Sequence, residues 1–339
     1  MKKSLSLIFV SLFTISVLMY CKKDNVEQFD EYFVVTNLAS NSLSVIDASS
    51  KTMATTVTIP SSLLYYSVYL PQLDKIYVTD AGNSAVQIVN ASTHTQEGRI
   101  SVGAGTIMHM TGDKNSNKLW VVNNTAKTIT EINANNNTAV YTLQLNETPH
   151  DIAVNATGSK IYVSVNKGGT WFIDAYSTDL TAGNYKLVDS KGFGGNWLHM
   201  AFSAANNKLF AADQGMGMLW ALNPDNLTAT APSVSVPGAH GLTLSADEKW
   251  SYVSSITENK IYVYNNSTNS ISSQITASVT PNVHNIAVTR NNDWLMDTHS
   301  GVSSTMAIMY SINNSTLTET TKMSVGTNPQ GILYYARKK

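Results

Sequence analysis

The chain has little charge and only one cysteine. Lys, Arg, Asp and Glu account for 13% of its 339 residues, and the formal net charge is −1. Such a chain lacks the basic surface by which proteins bind nucleic acid, so we expect no nucleic-acid partner. Because Cys21 is the single cysteine, no disulfide can form within the chain, and the fold must depend on its hydrophobic core.

Common catalytic motifs are missing as well. The sequence contains no GxSxG, no HExxH and no phosphate-binding P-loop. Its glycine clusters, GFGG (192–195) and GMG (215–217), lack the strand, turn and helix that a phosphate site requires. Motifs therefore leave open whether the protein is an enzyme.

The longest hydrophobic stretch lies at the N-terminus. It runs from Leu5 to Met19, follows two lysines and is itself followed by Cys21, which predicts a signal peptide over residues 1–20. A cysteine at this point resembles the lipobox of bacterial lipoproteins, in which the cysteine is acylated, although Tyr20 departs from the small residue that usually precedes it. The alternative is an uncleaved anchor, for which the stretch is shorter than the roughly 20 residues that a span needs.

The lipobox resemblance implies a lipid-anchored protein of the cell envelope. Cys21 would carry the lipid, residues 21–31 would form a tether, and one domain would span residues 32–339. We expect the outer membrane as the site of attachment, on its periplasmic or its outer face. We also expect the chain to be a monomer.

From residue 32 onward one segment recurs seven times, and each copy is followed by a second apolar run that ends in Asp or Asn. The copies are YFVVTN (32–37), KIYVTD (75–80), KLWVVN (118–123), KIYVSV (160–165), KLFAAD (208–213), WSYVSS (250–255) and WLMDTH (294–299). The repeat is 41 to 49 residues long, the range of a four-stranded propeller blade. Alternating β-branched and aromatic residues between Asn, Asp, Gly and Ser turns predict strands, so we expect an all-β protein.

These repeats resemble the YVTN family of β-propeller repeats, named for a segment that stands here as YVTD at 77–80 and VVTN at 34–37. The resemblance spans residues 32–339 and implies a seven-bladed β-propeller. The domain begins with the strand that is normally second in a blade, and it ends with PQGILYYARKK, which matches the first. We therefore predict that the C-terminal strand completes the first blade, which closes the ring and leaves no long unpaired edge.

Five of the seven histidines fall at the start of the predicted innermost strands. Alignment of the repeats places one residue per blade in this register: Tyr66, His109, His150, His199, His240, His284 and Gln330. Innermost strands surround the channel of a propeller, so these residues should converge at one mouth. Imidazoles from several strands are good ligands for transition metals. We predict that the five histidines bind a metal, with copper as the first candidate and zinc or iron as alternatives, and that Tyr66 and Gln330 contact the bound cofactor.

A further set of residues ends the YVTN-like strands at the same predicted mouth. His299 holds this position in one repeat, and Asp80 and Asp213 hold it in two others. We expect them to ligate the metal or to orient its histidines. The remaining histidine, His94, lies in a turn and is expected on the surface.

Two propeller families are similar in having histidines on the axis. Nitrous oxide reductases hold a copper cluster by a ring of histidines in a seven-bladed propeller, and carotenoid oxygenases hold iron by four axial histidines. The similarity covers the hub alone, so it implies a metal without implying either reaction.

Three functions stay open at this point, because propellers serve all of them. The first is a metalloprotein with a redox or other role. The second is a binding module whose surface captures a nutrient, a cofactor or a host macromolecule. The third is a structural protein of the envelope.

The anchoring hypothesis predicts the behaviour of a Cys21→Ser variant. This change removes the thiol that would accept the lipid, so we expect the variant to take up no labelled fatty acid and to leave the membrane fraction. Metabolic labelling and fractionation of cells measure both effects. Undiminished membrane retention of the variant would favour the uncleaved anchor.

Overall fold

Short alternating strands make up the part of the chain that the computed structural model describes, residues 27–178 and 185–339. Within these residues, 28 strands form seven antiparallel sheets of four strands, and the sheets are the blades of a ring. The predicted all-β, seven-bladed propeller is confirmed. The predicted signal peptide, Cys21 and most of the predicted tether lie outside the described residues.

The strands follow one another from the inside to the outside of each blade, except in blade 1. Blade 1 contains β1 (Phe29–Asn37), β2 (Ser42–Asp47), β3 (Thr52–Thr58) and the last strand, β28 (Pro329–Lys338). Blade 2 contains β4 (Leu64–Leu70), β5 (Lys75–Asp80), β6 (Ala85–Asn90) and β7 (Gln96–Ser101). Blade 3 contains β8 (Ile107–Asp113), β9 (Lys118–Asn123), β10 (Thr128–Asn133) and β11 (Thr138–Gln144). Blade 4 contains β12 (Thr148–Val154), β13 (Lys160–Lys167), β14 (Thr170–Thr178) and β15 (Tyr185–Gly192). Blade 5 contains β16 (Leu198–Ser203), β17 (Lys208–Asp213), β18 (Met218–Leu222) and β19 (Val234–Ser235). Blade 6 contains β20 (Ala239–Leu244), β21 (Trp250–Ser255), β22 (Lys260–Asn265) and β23 (Ser270–Thr276). Blade 7 contains β24 (Val283–Val288), β25 (Trp294–His299), β26 (Met306–Asn313) and β27 (Thr316–Ser324).

The C-terminal strand closes the ring as predicted. β28 is the innermost strand of blade 1 and pairs along its length with β1, from Phe29 opposite Lys338 to Asn37 opposite Pro329. The first strand therefore begins at Phe29, three residues inside the segment expected to be a tether. These extra pairs form because β28 is ten residues long and offers its whole edge to β1.

The hydrophobic core is divided among the interfaces between blades. Seven clusters of buried side chains each join two adjacent blades around the ring. In five blades the third residue of the second strand is an aromatic residue with at most 1% of its surface exposed: Tyr77, Trp120, Tyr162, Phe210 and Tyr252. The aromatic residue of the YVTN-like pattern thus fills the wedge between blades.

Every described element is a strand, a turn or an irregular segment. Across residues 27–178 and 185–339, no helix has the length and apolar character needed to cross a bilayer.

Ring closure by β28 predicts the effect of a truncation. Deleting residues 330–339 removes nearly all of β28, so it leaves β1 as an open edge and weakens the packing of blade 7 on blade 1. We expect the variant to lose its single cooperative unfolding transition, measured by fluorescence and circular dichroism in urea. Deletion of Lys339 alone is the control. A truncated protein that unfolded like the control would contradict closure by this strand.

Candidate metal centre

Irregularities in the innermost strands shape the mouth of the channel. In six blades the innermost strand carries a β-bulge, at which two of its residues stand opposite one residue of the second strand. In blade 4, for example, His150 and Asp151 stand opposite Ser164, whose hydroxyl accepts the N–H of Asp151 at 2.9 Å. A bulge bends the strand and re-aims its side chains, so each blade presents two successive residues to the hub.

The bulges correct the register that the sequence predicted. The residues in equivalent positions are Tyr65, Met108, His150, His199, His240, His284 and Gln330, so four of the seven are histidines rather than five. Tyr66 and His109 lie one residue further on, at the position of Asp151 and Asn285. The sequence contained a signal for the correct register, because in five blades the second strand begins ten positions after the residue in question. These residues are Tyr65, Met108, His150, His240 and His284.

The structure nevertheless brings all five histidines together. Their rings, with that of Tyr66, form a continuous series around the channel, and we call these six residues the hub. The distances between ring centroids are 4.0 Å for Tyr66 and His109, 4.4 Å for His109 and His150, 5.0 Å for His150 and His199, 4.1 Å for His199 and His240, and 4.3 Å for His240 and His284. The side chains of these neighbouring inner strands therefore do converge at one mouth.

Gln330 completes the series through its backbone and not through its side chain. Its carbonyl oxygen lies 3.2 Å from His284 Nδ1 and accepts a hydrogen bond from the Asn285 amide at 3.0 Å. Its own amide donates to Asn328 instead. The side chain of Gln330 thus turns to its own loop, although the sequence predicted that it would contact a cofactor.

Three of the histidines have the geometry of a metal site. His109, His150 and His199 are all buried, and each offers a ring nitrogen that lies within 4.8 Å of those of the other two. His150 Nε2 and His199 Nε2 are 3.4 Å apart. These three imidazoles could hold a metal ion between them.

Asp151 is a component of the site that the sequence analysis missed. His109 Nδ1 lies 3.0 Å from one carboxylate oxygen of Asp151, and the other oxygen accepts the Met200 N–H at 2.7 Å. A carboxylate that binds one ring nitrogen of a histidine orients the ring and leaves the second nitrogen for a metal. The sequence signal for Asp151 was the pair HD at 150–151, together with HN at 284–285. It could be used only with the knowledge that the bulge presents two residues per blade.

Two hub nitrogens are buried without a hydrogen-bond partner among the described residues. His240 Nδ1 lies 3.0 Å from Gln214 Oε1, which leaves its Nε2 as a lone-pair acceptor with no donor. His150 Nδ1 is likewise unpartnered. Leaving a buried polar atom unsatisfied costs about 1 to 3 kcal/mol, so a bound ligand at such an atom would remove a penalty.

Four of the hub histidines, His150, His199, His240 and His284, are uncharged at neutral pH. Burial lowers the pKa values of His150, His199 and His240 well below the ordinary value, and the neighbouring imidazoles lower them further. Burial also lowers the pKa of His284, to about 4. Their lone pairs are therefore available to a metal without competition from protons.

Trp197 covers the hub at this mouth. Its ring meets that of His150 edge to face at 4.5 Å, and its carbonyl accepts the N–H of Gln214 at 3.4 Å. Its φ of +53° is unusual for a bulky residue, and the neighbouring Gly195 packs so closely on Asp213 that a Cβ would overlap the carboxylate. Local strain of this kind is found at functional sites, where the surrounding structure holds it in place.

Asp80 and Asp213, which were predicted to lie around the metal ligands, accept hydrogen bonds from nearby backbone and side-chain groups instead. Asp80 accepts hydrogen bonds from the backbone N–H groups of Leu63 and Gly82 and from the Gln87 amide, and Asp213 accepts the N–H of Met216. They lie at the same end of the blades as the hub but one strand further from the channel. The structure thus shows Asp80 hydrogen-bonded to two loops and to β6, and Asp213 to the loop that follows its strand, and the three-histidine group includes neither residue.

His299 and His94 also have partners away from the hub. His299 Nδ1 lies 2.5 Å from the Pro281 carbonyl oxygen, and its Nε2 lies 3.2 Å from Asp297. His94, expected on the surface, is half-buried between blades 1 and 2, with its Nε2 2.8 Å from the Tyr335 hydroxyl. Both rings therefore connect parts of the scaffold.

Comparison with known proteins supports the fold and leaves the function open. No protein-family model and no curated protein matches the chain. A functionally unknown protein from Desulfotomaculum acetoxidans is similar in structure, with a TM-score of 0.73, 13% sequence identity, and coverage of 89% of this chain and 98% of that one. A putative 6-phosphogluconolactonase from Bacteroides fragilis is similar with a TM-score of 0.73, 12% identity, and coverage of 90% and 98%. At such identities the likeness shows the propeller fold alone, and the resemblance to YVTN repeats stays a prediction.

The lowered pKa values predict how the metal-free protein responds to acid. The pKa of His284 is about 4 in the folded state against 6.5 for the free residue, so its contribution is present above pH 6.5 and is lost as the pH falls towards 4. A His284→Gln variant should therefore lose up to about 3 kcal/mol of this pH dependence, measured as the free energy of unfolding in urea.

His299 provides a control of opposite sign. Burial lowers its pKa, but Asp297 and the Pro281 carbonyl outweigh burial and raise the pKa above 6.5. Its contribution is present below pH 6.5 and is lost at higher pH, so His299→Gln should steepen the loss of stability in acid. Equal pH profiles for the two variants would contradict the assignment of neutral hub histidines.

Proposed function

We propose that this protein binds a transition metal ion at the hub, through His109, His150 and His199. The observation that carries the proposal is the trio of buried imidazoles with ring nitrogens within 4.8 Å of one another. Neutral imidazole suits copper, zinc and iron, with copper as the first candidate. The chain's single cysteine is at position 21, so the domain has no thiolate to offer a metal.

The energetics of the hub favour a metal over a purely structural role. Five histidines meet at the hub, four of them buried and His284 partly buried, although the pKa values of four of the five show that burial opposes their charged form. A structural hub would be more stable with apolar side chains or with every ring nitrogen paired. A cation bound to the lone pairs offsets this cost in the folded state.

The number of ligands also bears on the chemistry. Three protein ligands leave a coordination position open to water or to another small ligand, as in catalytic metal sites. Asp151 would hold the His109 ring, since it already lies 3.0 Å from Nδ1. A redox or Lewis-acid role is therefore compatible with this geometry.

The cellular setting is part of the proposal. The predicted signal peptide and Cys21 support a lipid-anchored protein of the envelope, and we propose that it is held at the outer membrane as a monomer. A second candidate function is a binding module without a metal. A cavity of about 440 Å³ beneath the hub favours it.

Replacing two of the proposed ligands tests the metal site. The change His150→Gln/His199→Gln removes two of three imidazoles, so metal affinity should fall by about 100-fold or more. The wild-type protein should gain about 2.7 kcal/mol in stability at a metal concentration 100 times its Kd, and the variant should gain at most about 0.4 kcal/mol at the same concentration. Elemental analysis of protein produced without a histidine tag and thermal unfolding with copper, zinc or iron measure these effects.

His94→Gln is the matched control, because it changes a histidine remote from the hub. We expect this variant to bind metal as the wild type does. Full metal occupancy in the double variant, or a wild-type protein that binds none of the three metals, would refute the proposal and leave the binding module as the function.

A further inference from the structure

The channel beneath the hub encloses a cavity of about 440 Å³. Its inner end is formed by hub residues and their neighbours, among them Tyr66, His109 and Asn285, and its walls include Thr111 and Thr243. Its other end reaches Lys114 and Arg290, just beyond the inner strands of blades 3 and 7. At about 30 Å³ per water molecule, this volume is large enough for a small ligand together with several waters.

The inner end of this cavity offers a hydrogen-bond donor. The Tyr66 hydroxyl oxygen accepts a hydrogen bond from the Asn285 amide at 3.2 Å, so its own proton is not needed for that contact. Among the described residues the Tyr66 proton has no acceptor. A ligand beside the hub would therefore be favoured if it accepts a hydrogen bond from Tyr66.

The charges around the cavity favour an anion. Imidazoles must be neutral to coordinate, so a divalent cation at the hub would be offset only by Asp151, which already binds His109 and the Met200 N–H. At the outer end, Lys114 is exposed and forms no ion pair with any described residue, whereas Arg290 is paired with Glu31 at 2.9 Å. The field along the channel would thus draw in negative charge.

The two ends of the channel differ in how open they are. Trp197 packs on His150 at the hub mouth, and His109, His150 and His199 are at most 5% exposed. A molecule that approaches the hub from the opposite mouth meets the cavity and no such cover.

We propose that this cavity binds a small anion, which enters by the Lys114 mouth, accepts a hydrogen bond from Tyr66 and coordinates the hub metal at its open position. The proposal rests on the proposed metal site. It assigns a ligand class to the cavity and a direction of entry.

Azide binding to the copper-loaded protein tests the proposal, because azide bound to copper(II) gives a charge-transfer absorption. We expect Tyr66→Phe to weaken azide binding about tenfold, through loss of one hydrogen bond to a charged group. We expect Lys114→Glu, an exposed change that spares the fold, to slow azide association several-fold and to reduce its dependence on ionic strength.

Blocking the channel tests the route. The double change Thr111→Trp/Thr243→Trp places two large rings in the cavity, so azide association should fall by roughly an order of magnitude while copper content is unchanged. Thr52→Trp/Thr318→Trp, at exposed positions of the outer strands β3 and β27, is the matched control.

The outcomes separate the two proposals. Copper bound with unchanged azide rates in both the blocked and the Lys114→Glu variants would overturn the anion cavity and leave the metal site intact. A protein that binds none of copper, zinc and iron would overturn both proposals. If the blocked variant does not fold, the azide affinity of the Tyr66→Phe variant and the azide association rate of the Lys114→Glu variant still test the anion cavity.

Discussion

The pairing of β28 with β1 is the constraint on which the rest of the structure depends, because it joins the two ends of the ring. Blades 7, 1 and 2 meet at the hub through that strand. The Gln330 carbonyl of β28 lies beside His284 and Asn285 of blade 7, and the Asn285 amide reaches Tyr66 of blade 2. An open ring would separate these groups, so the geometry of the hub is a consequence of closure and not of any one blade.

Hydrogen bonds from hydroxyl groups also connect adjacent blades at the hub, and we call these hydroxyl groups the belt. In four blades a Thr or Ser of the second strand donates to a carbonyl in the bulge of the next blade. These bonds join Thr36 to Tyr65 at 2.5 Å, Thr79 to Met108 at 2.6 Å, Ser254 to His284 at 2.6 Å and Thr298 to Gln330 at 2.9 Å. Buried hydrogen bonds fix orientation more sharply than apolar contacts do, so the belt sets where each bulge presents its side chains. The same Thr or Ser is part of the YVTN-like pattern, which gives that repeated residue a physical reason.

Periodicity predicted the fold because the blade is a local unit, whereas the site depends on details that periodicity does not contain. The seven repeats, the second strands and the closing strand were all visible in the sequence. The bulges were not, and they moved Tyr66 and His109 by one position and brought Asp151 to the hub. His299, Asp80 and Asp213 were predicted at the correct end of the blades, but each has a polar atom that is hydrogen-bonded to the backbone of a nearby loop. The position of a residue along a strand can be inferred from the sequence. Which of several nearby groups it will bind by a hydrogen bond cannot be inferred in this way.

The two kinds of buried histidine at this mouth show why the hub suits a cation and the next strand outward does not. His299 has an acceptor at one ring nitrogen and the Asp297 carboxylate beside the other, so burial is outweighed and its pKa rises. The four hub histidines with lowered pKa values face one another, and each imidazole opposes a proton on its neighbours. Repulsion opposes separate protons on neighbouring imidazoles, but it does not oppose one metal ion that interacts with several converging lone pairs at once. The same burial therefore gives a closed ion pair at His299 and an open set of ligands at the hub.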